Sequence, residues 1–196
     1  MDYDRCVLTD APVFCRSLSE RKEILMKFSV RKLTILGLVA AIYVVVTLVL
    51  GEMAYANIQF RISEALVLLC FYKKEYCYAM TAGCLIANIF SSLPLDIVVG
   101  TFATIISVIC ISRCKNIYIA SIFPVVFNAV IVGFELKYAY GLPLFLSMAQ
   151  VAIGEFVCVS VIGIILFKII ERNRHFMNLL CFGEKPDKSI KSRQAD

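Results

Sequence analysis

The residues of this 196-residue chain that could do chemistry are acids and amides set inside or beside long apolar stretches. Glu155 is the one charge between Tyr138 and Phe167, and Asn88 and Asn128 lie in similarly apolar surroundings. Ionisable groups inside a membrane are costly and usually face a bundle interior or a water-filled cavity. Carboxylates accept hydrogen bonds and amides both accept and donate them, so such groups can bind a small polar molecule.

The composition shows which solvent surrounds these polar groups. Hydrophobic residues make up 60% of the chain and charged residues only 18%, with a mean hydropathy of +0.82, whereas soluble domains carry about 25% charged residues. We therefore expect an all-α integral membrane protein. The net charge of +5 comes mostly from the tails and from short breaks between apolar stretches. That pattern is typical of topology signals and argues against nucleic-acid binding.

Other common chemistries lack their groups in this sequence. The nine cysteines are an odd number without a C-x-x-C, and the one histidine, His175, lies in the C-terminal tail. We expect packing cysteines, with neither a disulfide framework nor a metal site. Because the chain has no G-x-x-x-x-G-K-[ST], H-E-x-x-H or G-x-S-x-G motif, we expect no enzyme activity and no cofactor.

Uncharged stretches predict the membrane spans. The short stretch from Ala65 to Tyr72 decides the topology, and we expect it to span as part of a helix that begins near Ile58. Six helices then place both termini in the cytoplasm and leave only Arg61 and Lys137 of the 20 basic residues outside, as the positive-inside rule requires. The other predicted spans are Leu33–Gly51, Tyr76–Leu95, Ile97–Ser112, Asn116–Phe134 and Tyr138–Phe167.

The chain is expected to form one membrane domain with two polar tails. Residues 1–25 are polar without a signal-peptide core, and we interpret them as a dispensable extension or an over-extended start. Residues 26–170 form the six-helix membrane domain, and residues 171–196 form a disordered cytoplasmic tail.

This topology gathers the acids at the outer ends of the helices and predicts an acidic pocket that opens outward. Apart from Glu135 and Glu155, whose carboxylates need a partner near the membrane, these polar residues also have a structural explanation. Arg61 and Glu64 could form an ion pair on one helix face, Asn88 and Asn128 could bond neighbouring helices, and Asp96 after Pro94 could cap a helix.

A small-residue pair on the first helix offers a surface for a membrane partner. Gly37 and Ala41 are four residues apart, with Ala40 beside them. Such spacing lets another helix approach closely.

Several motifs together resemble the QueT family of queuosine-precursor transport proteins. The most specific one reads N-I-Q-F-R-I-S-E-A-L from Asn57 to Leu66. The resemblance covers residues 30–170. Its other landmarks, in order, are Gly83–Asn88, Asp96–Gly100, Pro124–Asn128, Gly133–Glu135 and Gly154–Glu155.

The resemblance implies a substrate-binding S-component of an energy-coupling factor (ECF) transporter in the cytoplasmic membrane. Such a six-helix subunit captures its substrate at the outer face and docks on a transmembrane coupling protein with two ATPase subunits. Only those partners use ATP. In related S-components a small-residue motif on the first helix contacts the coupling protein, which points to Gly37, Ala40 and Ala41 here.

The implied ligands are deazaguanine bases: the aminomethyl precursor of queuosine, its nitrile relative, or queuine. One carboxylate can accept two adjacent N–H groups of a guanine-like edge, and Phe60 or Tyr55 could stack on the base. The candidate substrate-binding residues are Gln59, Arg61, Glu64, Asn88, Asp96, Asn128, Glu135 and Glu155.

Three alternatives remain open at this point. The protein could be an S-component for another vitamin or nucleobase. It could be a stand-alone transporter driven by an ion gradient, with the buried acids as proton or sodium sites. A scaffold without transport activity is disfavoured by so many acids on one side.

Overall fold

The computed structural model describes residues 30–50, 60–91 and 94–183, and every regular element in these ranges is helical. By their internal contacts, residues 1–34 and residues 35–196 form two separate units. In the first unit the structure describes only residues 30–34, which begin a helix. The second unit holds all the other elements discussed below.

Seven helices follow one another in the described ranges. Four of them, α1, α4, α5 and α6, are long and apolar enough to cross a membrane, whereas α2 and α3 are shorter apolar helices. The expectation of an all-helical fold with several helices long and apolar enough to cross a membrane is therefore confirmed. The helices are α1 (Val30–Leu50), α2 (Ile62–Tyr72), α3 (Tyr76–Ile89), α4 (Asp96–Arg113), α5 (Ile117–Tyr140), α6 (Leu144–Arg172) and α7 (Arg174–Leu180).

The predicted break between the last two spans was wrong. Helix α5 does not end at Phe134 but continues through Glu135 to Tyr140. Gly141 ends it in the left-handed conformation (φ +67°), which glycine adopts without strain. A charged residue after an apolar stretch predicts the end of a helix, but Glu135 is buried inside the protein and so does not need a loop.

Helix α2 begins as a 3₁₀-helix over Ile62–Leu68 and becomes α-helical over Leu69–Tyr72. Arg61 lies directly before its first residue, and the predicted start near Ile58 lies outside the described residues. The 3₁₀ part packs on a π-helical part of α6, Phe156–Gly163. A Cβ atom on Gly163 would come within 3.0 Å of the Leu68 side chain, so the missing side chain permits this close approach.

The turn between α2 and α3 lies beside the end of α6, which places the basic residues Lys73, Lys74 and Arg172 at one end of the helices. The Tyr72 hydroxyl donates to Glu171 Oε1 (2.7 Å). We call this the basic end. Most of the apolar core packs in the same half of the helices, including Leu68, Met80, Ile111 and Phe167. In the other half of the helices, buried polar side chains pack against one another.

Part of the C-terminal tail is ordered, contrary to expectation. The Tyr76 hydroxyl donates to the Leu180 carbonyl (2.8 Å), and the Tyr76 ring stacks on Phe182 at 5.4 Å. These contacts hold α7 against α3, so residues 171–183 are not a disordered tail. Residues 1–25 and 184–196, for which an extension and a disordered tail are predicted, lie outside the described residues.

Candidate functional site

Six helices, α1 to α6, bring polar side chains together in the half of the molecule away from the basic end. We call this group the polar cluster. No member is more than 5% exposed, so in this conformation the groups contact one another rather than solvent. The polar cluster consists of Tyr43, Thr47, Arg61, Ser63, Glu64, Asn88, Asp96, Asn128, Glu135 and Glu155.

Asn88 at the end of α3 links α2 to α4. Its side-chain oxygen accepts a hydrogen bond from Arg61. Its amide nitrogen donates to the Asp96 carbonyl (3.0 Å) and to Thr101 Oγ1 (3.3 Å). The Arg61 guanidinium also interacts electrostatically with the carboxylates of Asp96 and Glu64. Asn88 therefore sets where the one guanidinium of the polar cluster points.

Asp96 is the first residue of α4, but its side chain does not cap the helix. Leu95 occupies the N-cap position and no side-chain cap bond is present there. The Asp96 carboxylate instead accepts a hydrogen bond from Ser91 Oγ at 2.5 Å. A negative charge at a helix start is favourable, and the carboxylate faces the polar cluster.

Gly100, one turn into α4, leaves the space that the Asn88 amide occupies. A Cβ atom at position 100 would lie 2.9 Å from Asn88 Nδ2, closer than real Cβ contacts come. Gly100 belongs to the Asp96–Gly100 motif, but the sequence alone gives no role for this glycine. No single-residue signal marks such a position, because its importance depends on a side chain from another helix.

Helix α1 contributes two polar side chains to the polar cluster that are not among the residues predicted from the sequence. The Tyr43 hydroxyl donates to Glu64 Oε1 at 2.5 Å, and Thr47 Oγ1 donates to Ser63 Oγ at 2.7 Å. Both residues lie on the buried stripe of α1. The available signal was their four-residue spacing within an otherwise apolar helix, which places them on one face.

Glu155, in the middle of α6, is only partly satisfied. Asn128 Nδ2 donates to its Oε1 atom at 2.8 Å. Its Oε2 atom is buried and accepts no hydrogen bond from the described residues. The π-helical stretch begins directly after Glu155, and π-turns within helices often occur at functional sites.

Glu135, near the end of α5, carries two further acceptors of this kind. Both carboxylate oxygens are buried and accept no hydrogen bond from a donor among the described residues. The carboxyl group of Asp96 lies close enough to interact with it directly, and Arg61 also lies within electrostatic range. Buried polar atoms without partners are rare in proteins, so these carboxylate oxygens require an explanation.

Seven of the eight candidate substrate-binding residues belong to the polar cluster. The eighth, Gln59, lies outside the described residues, as does Tyr55. Asn88 and Asn128 do form interhelical hydrogen bonds, yet each does so with a charged member of the cluster. The interhelical and ligand-binding explanations are therefore compatible.

The three candidate partner-interface residues differ in exposure. Gly37 and Ala41 are exposed on α1, whereas Ala40 is half-buried. The Ala40 carbonyl lies 3.2 Å from where a Cβ atom of Gly83 would be. Ala40 thus faces α3, and only Gly37 and Ala41 form a small, open surface.

Comparison with known proteins agrees with the resemblance seen in the sequence. The family model described as "QueT transporter" matches residues 33–172. The chain is also 31% identical over 153 residues to the "Queuosine precursor transporter QueT" of Lactococcus lactis subsp. cremoris (strain MG1363), covering 70% of this chain and 90% of that protein. No solved structure matches the chain with significance. The chain belongs to the QueT transporter family.

Proposed function

We propose that this protein is the substrate-binding S-component of an ECF transporter and captures a queuosine precursor, a deazaguanine base, from outside the cell. The observation that carries the proposal is the set of three buried carboxylate oxygens, two on Glu135 and one on Glu155, that accept no hydrogen bond from the described residues. Membership of a transporter family supports a role in uptake.

The chemistry of the polar cluster suits a deazaguanine. The guanine-like edge of such a base presents adjacent N–H donors next to a carbonyl acceptor. Carboxylates accept from the donors, and an amide such as Asn128 or Asn88 donates to the carbonyl. Charge-assisted hydrogen bonds of this kind are about twice as strong as neutral ones. The ligand would thereby satisfy acceptors that are unsatisfied without it.

The proposal includes six membrane crossings with both termini in the cytoplasm. Helices α2 and α3 are short, but the 3₁₀ part of α2 rises about 2.0 Å per residue, compared with about 1.5 Å in an α-helix. The basic end, with Lys73, Lys74 and Arg172, then faces the cytoplasm, as the positive-inside rule favours. The polar cluster lies toward the outer face of the cell membrane.

A separate energy source is part of the proposal. The sequence carries no P-loop, so ATP would be hydrolysed by two ATPase subunits that act through a transmembrane coupling protein. The open surface formed by Gly37 and Ala41 supports contact between α1 and that coupling protein, because small residues let membrane helices approach closely.

Calorimetric binding to the detergent-purified protein tests the proposal. The ligands are the aminomethyl deazaguanine, its nitrile analogue, queuine and guanine. We expect tight binding of one deazaguanine and much weaker binding of guanine. Replacement of Glu155 with Gln should weaken binding about tenfold or more, since a hydrogen bond to a charged group contributes about 1.5–3 kcal/mol. Glu75, an acid in the turn between α2 and α3, provides the control, and Glu75→Gln should leave binding unchanged.

Two results would redirect the proposal. If folded protein binds none of these bases, the function belongs to another vitamin or nucleobase. If Glu155→Gln and Glu135→Gln both bind with wild-type affinity, the polar cluster does not read the base.

A further inference from the structure

The unsatisfied acceptors of the polar cluster lie at two separate places. Glu155 pairs with Asn128, and Glu135 neighbours Asp96. Asn128 and Glu135 are seven residues apart on α5, which is close to two full turns. They therefore share one helix face and are separated by about 10.5 Å along its axis. A ligand that lies along α5 could reach both places at once.

The inner place, Glu155 with Asn128, offers mixed hydrogen-bonding groups. Glu155 Oε2 accepts no bond from the described residues, while Oε1 already accepts one from the Asn128 amide. An amide nitrogen has two N–H groups, so Asn128 can donate to a ligand carbonyl without leaving Glu155. An acceptor beside a donor matches the edge of a base, which itself carries donors beside a carbonyl.

The outer place, Glu135 with Asp96, offers acceptors and negative charge. The two oxygens of Glu135 accept no hydrogen bond from an N–H or hydroxyl group of the described residues, and the Asp96 carboxyl group lies within hydrogen-bonding reach of them. An ammonium group has three donors and no acceptor, so it can satisfy both carboxylates. A neutral base edge would instead leave its own carbonyl facing a carboxylate.

Charge favours the same assignment. Within the polar cluster as defined, Glu64, Asp96, Glu135 and Glu155 stand against the single guanidinium of Arg61. Arg61 is already held by Asn88. An incoming cation would stabilise these buried carboxylates, because the attraction between opposite charges is stronger in surroundings of low dielectric constant than in water.

We infer that Glu135, together with Asp96, selects a protonated aminomethyl arm, while Glu155 and Asn128 read the guanine-like edge. The inference rests on the proposed function and adds a preferred substrate: the aminomethyl deazaguanine over its nitrile analogue. Glu135 is thus a specificity-determining residue, and Glu155 serves both ligands.

The test measures two ligands against two variants by calorimetry. The wild-type protein should bind the aminomethyl base at least about tenfold more tightly than the nitrile base, because only the former makes charge-assisted bonds to Glu135. Glu135→Gln should remove most of that preference by weakening aminomethyl binding alone. Glu155→Gln should weaken the binding of both bases by similar factors and keep the preference.

A second acid keeps the test decisive if Glu135→Gln does not yield monodisperse protein. Asp96→Asn should then reduce the preference in the same direction. Equal affinity of the wild-type protein for the two bases, or an equal loss of both in Glu135→Gln, would overturn the assignment while leaving the proposed function in place. Failure of the folded wild-type protein to bind any deazaguanine, queuine included, would overturn the proposed function itself.

Discussion

At the scale of single residues, the polar cluster is held together by bonds that cross between helices. Tyr43 on α1 donates to Glu64 on α2, Arg61 donates to Asn88 on α3, and Asn128 on α5 donates to Glu155 on α6. Each pair joins a charged group to a polar partner from another helix. Burying these charges is tolerable because of such partners, so removal of one partner should be costly.

Replacement of Tyr43 with Phe tests that statement. The change keeps the ring but removes the hydroxyl that donates to Glu64 Oε1, leaving a buried carboxylate with one donor fewer. We expect a loss of about 1–3 kcal/mol in stability, seen as a lower melting temperature of the detergent-purified protein. Tyr78 on α3 is 71% exposed, so Tyr78→Phe should melt like the wild type. Equal melting of the two variants would show that the Tyr43–Glu64 bond does not stabilise the fold.

The acids and amides of the polar cluster could be predicted from the sequence, whereas the hydroxyl-bearing residues that accompany them could not. A charge inside an apolar stretch is visible in the sequence alone, which is why Glu135 and Glu155 were identified. Tyr43 looks like an ordinary aromatic residue of a membrane helix until Glu64 is placed beside it. The same holds for Gly100, whose role depends on Asn88.

At the scale of helices, α5 and α6 form a tight antiparallel pair around Gly133. A Cβ atom at this position would lie 2.5 Å from Met148 Cγ and 3.2 Å from Met148 Cα. The second of these atoms is backbone, so the conflict cannot be relieved by turning a side chain alone. Because Asn128 and Glu135 lie on α5 and Glu155 lies on α6, this contact also sets the spacing of the site.

Two glycine-to-alanine changes should therefore have opposite effects on the free energy of unfolding. Gly133→Ala should destabilise the protein by about 1–3 kcal/mol through overpacking. In contrast, a Cβ atom at Gly37 would meet nothing within 4 Å, so Gly37→Ala should stabilise helix α1 by about 0.5–1 kcal/mol. Thermal unfolding of both variants in the same detergent measures the difference. A stabilised Gly133→Ala variant would contradict the close approach of α5 and α6.

Helix type and several helix ends were beyond reach of the sequence. Apolar stretches identified the approximate positions of α1 to α6, because a membrane helix must be apolar for most of its length. The 3₁₀ start of α2 and the π-helical part of α6 arise where these two helices pack together. That hydrogen-bonding register depends on the partner helix and leaves no periodic signal in either segment.

At the scale of the whole molecule, the helices separate two kinds of charge. The polar cluster lies in one half, and the basic residues between α2 and α3 and at the end of α6 lie at the other end. A closed, buried cluster suits a subunit that binds a ligand, whereas delivery to the other end requires the helices to move. In the proposed S-component, the ECF coupling protein and its ATPases would drive that movement.

Uptake into proteoliposomes tests the central claim, that the protein binds its substrate but depends on partners to transport it. Labelled aminomethyl deazaguanine is offered to vesicles that hold the subunit alone, or the subunit with the coupling protein and both ATPases. We predict uptake only in the complete assembly, only with ATP inside the vesicle on the side of the ATPases, and less of it in Glu155→Gln. Uptake by the subunit alone, driven by a proton or sodium gradient, would contradict the account and identify an ion-coupled transporter.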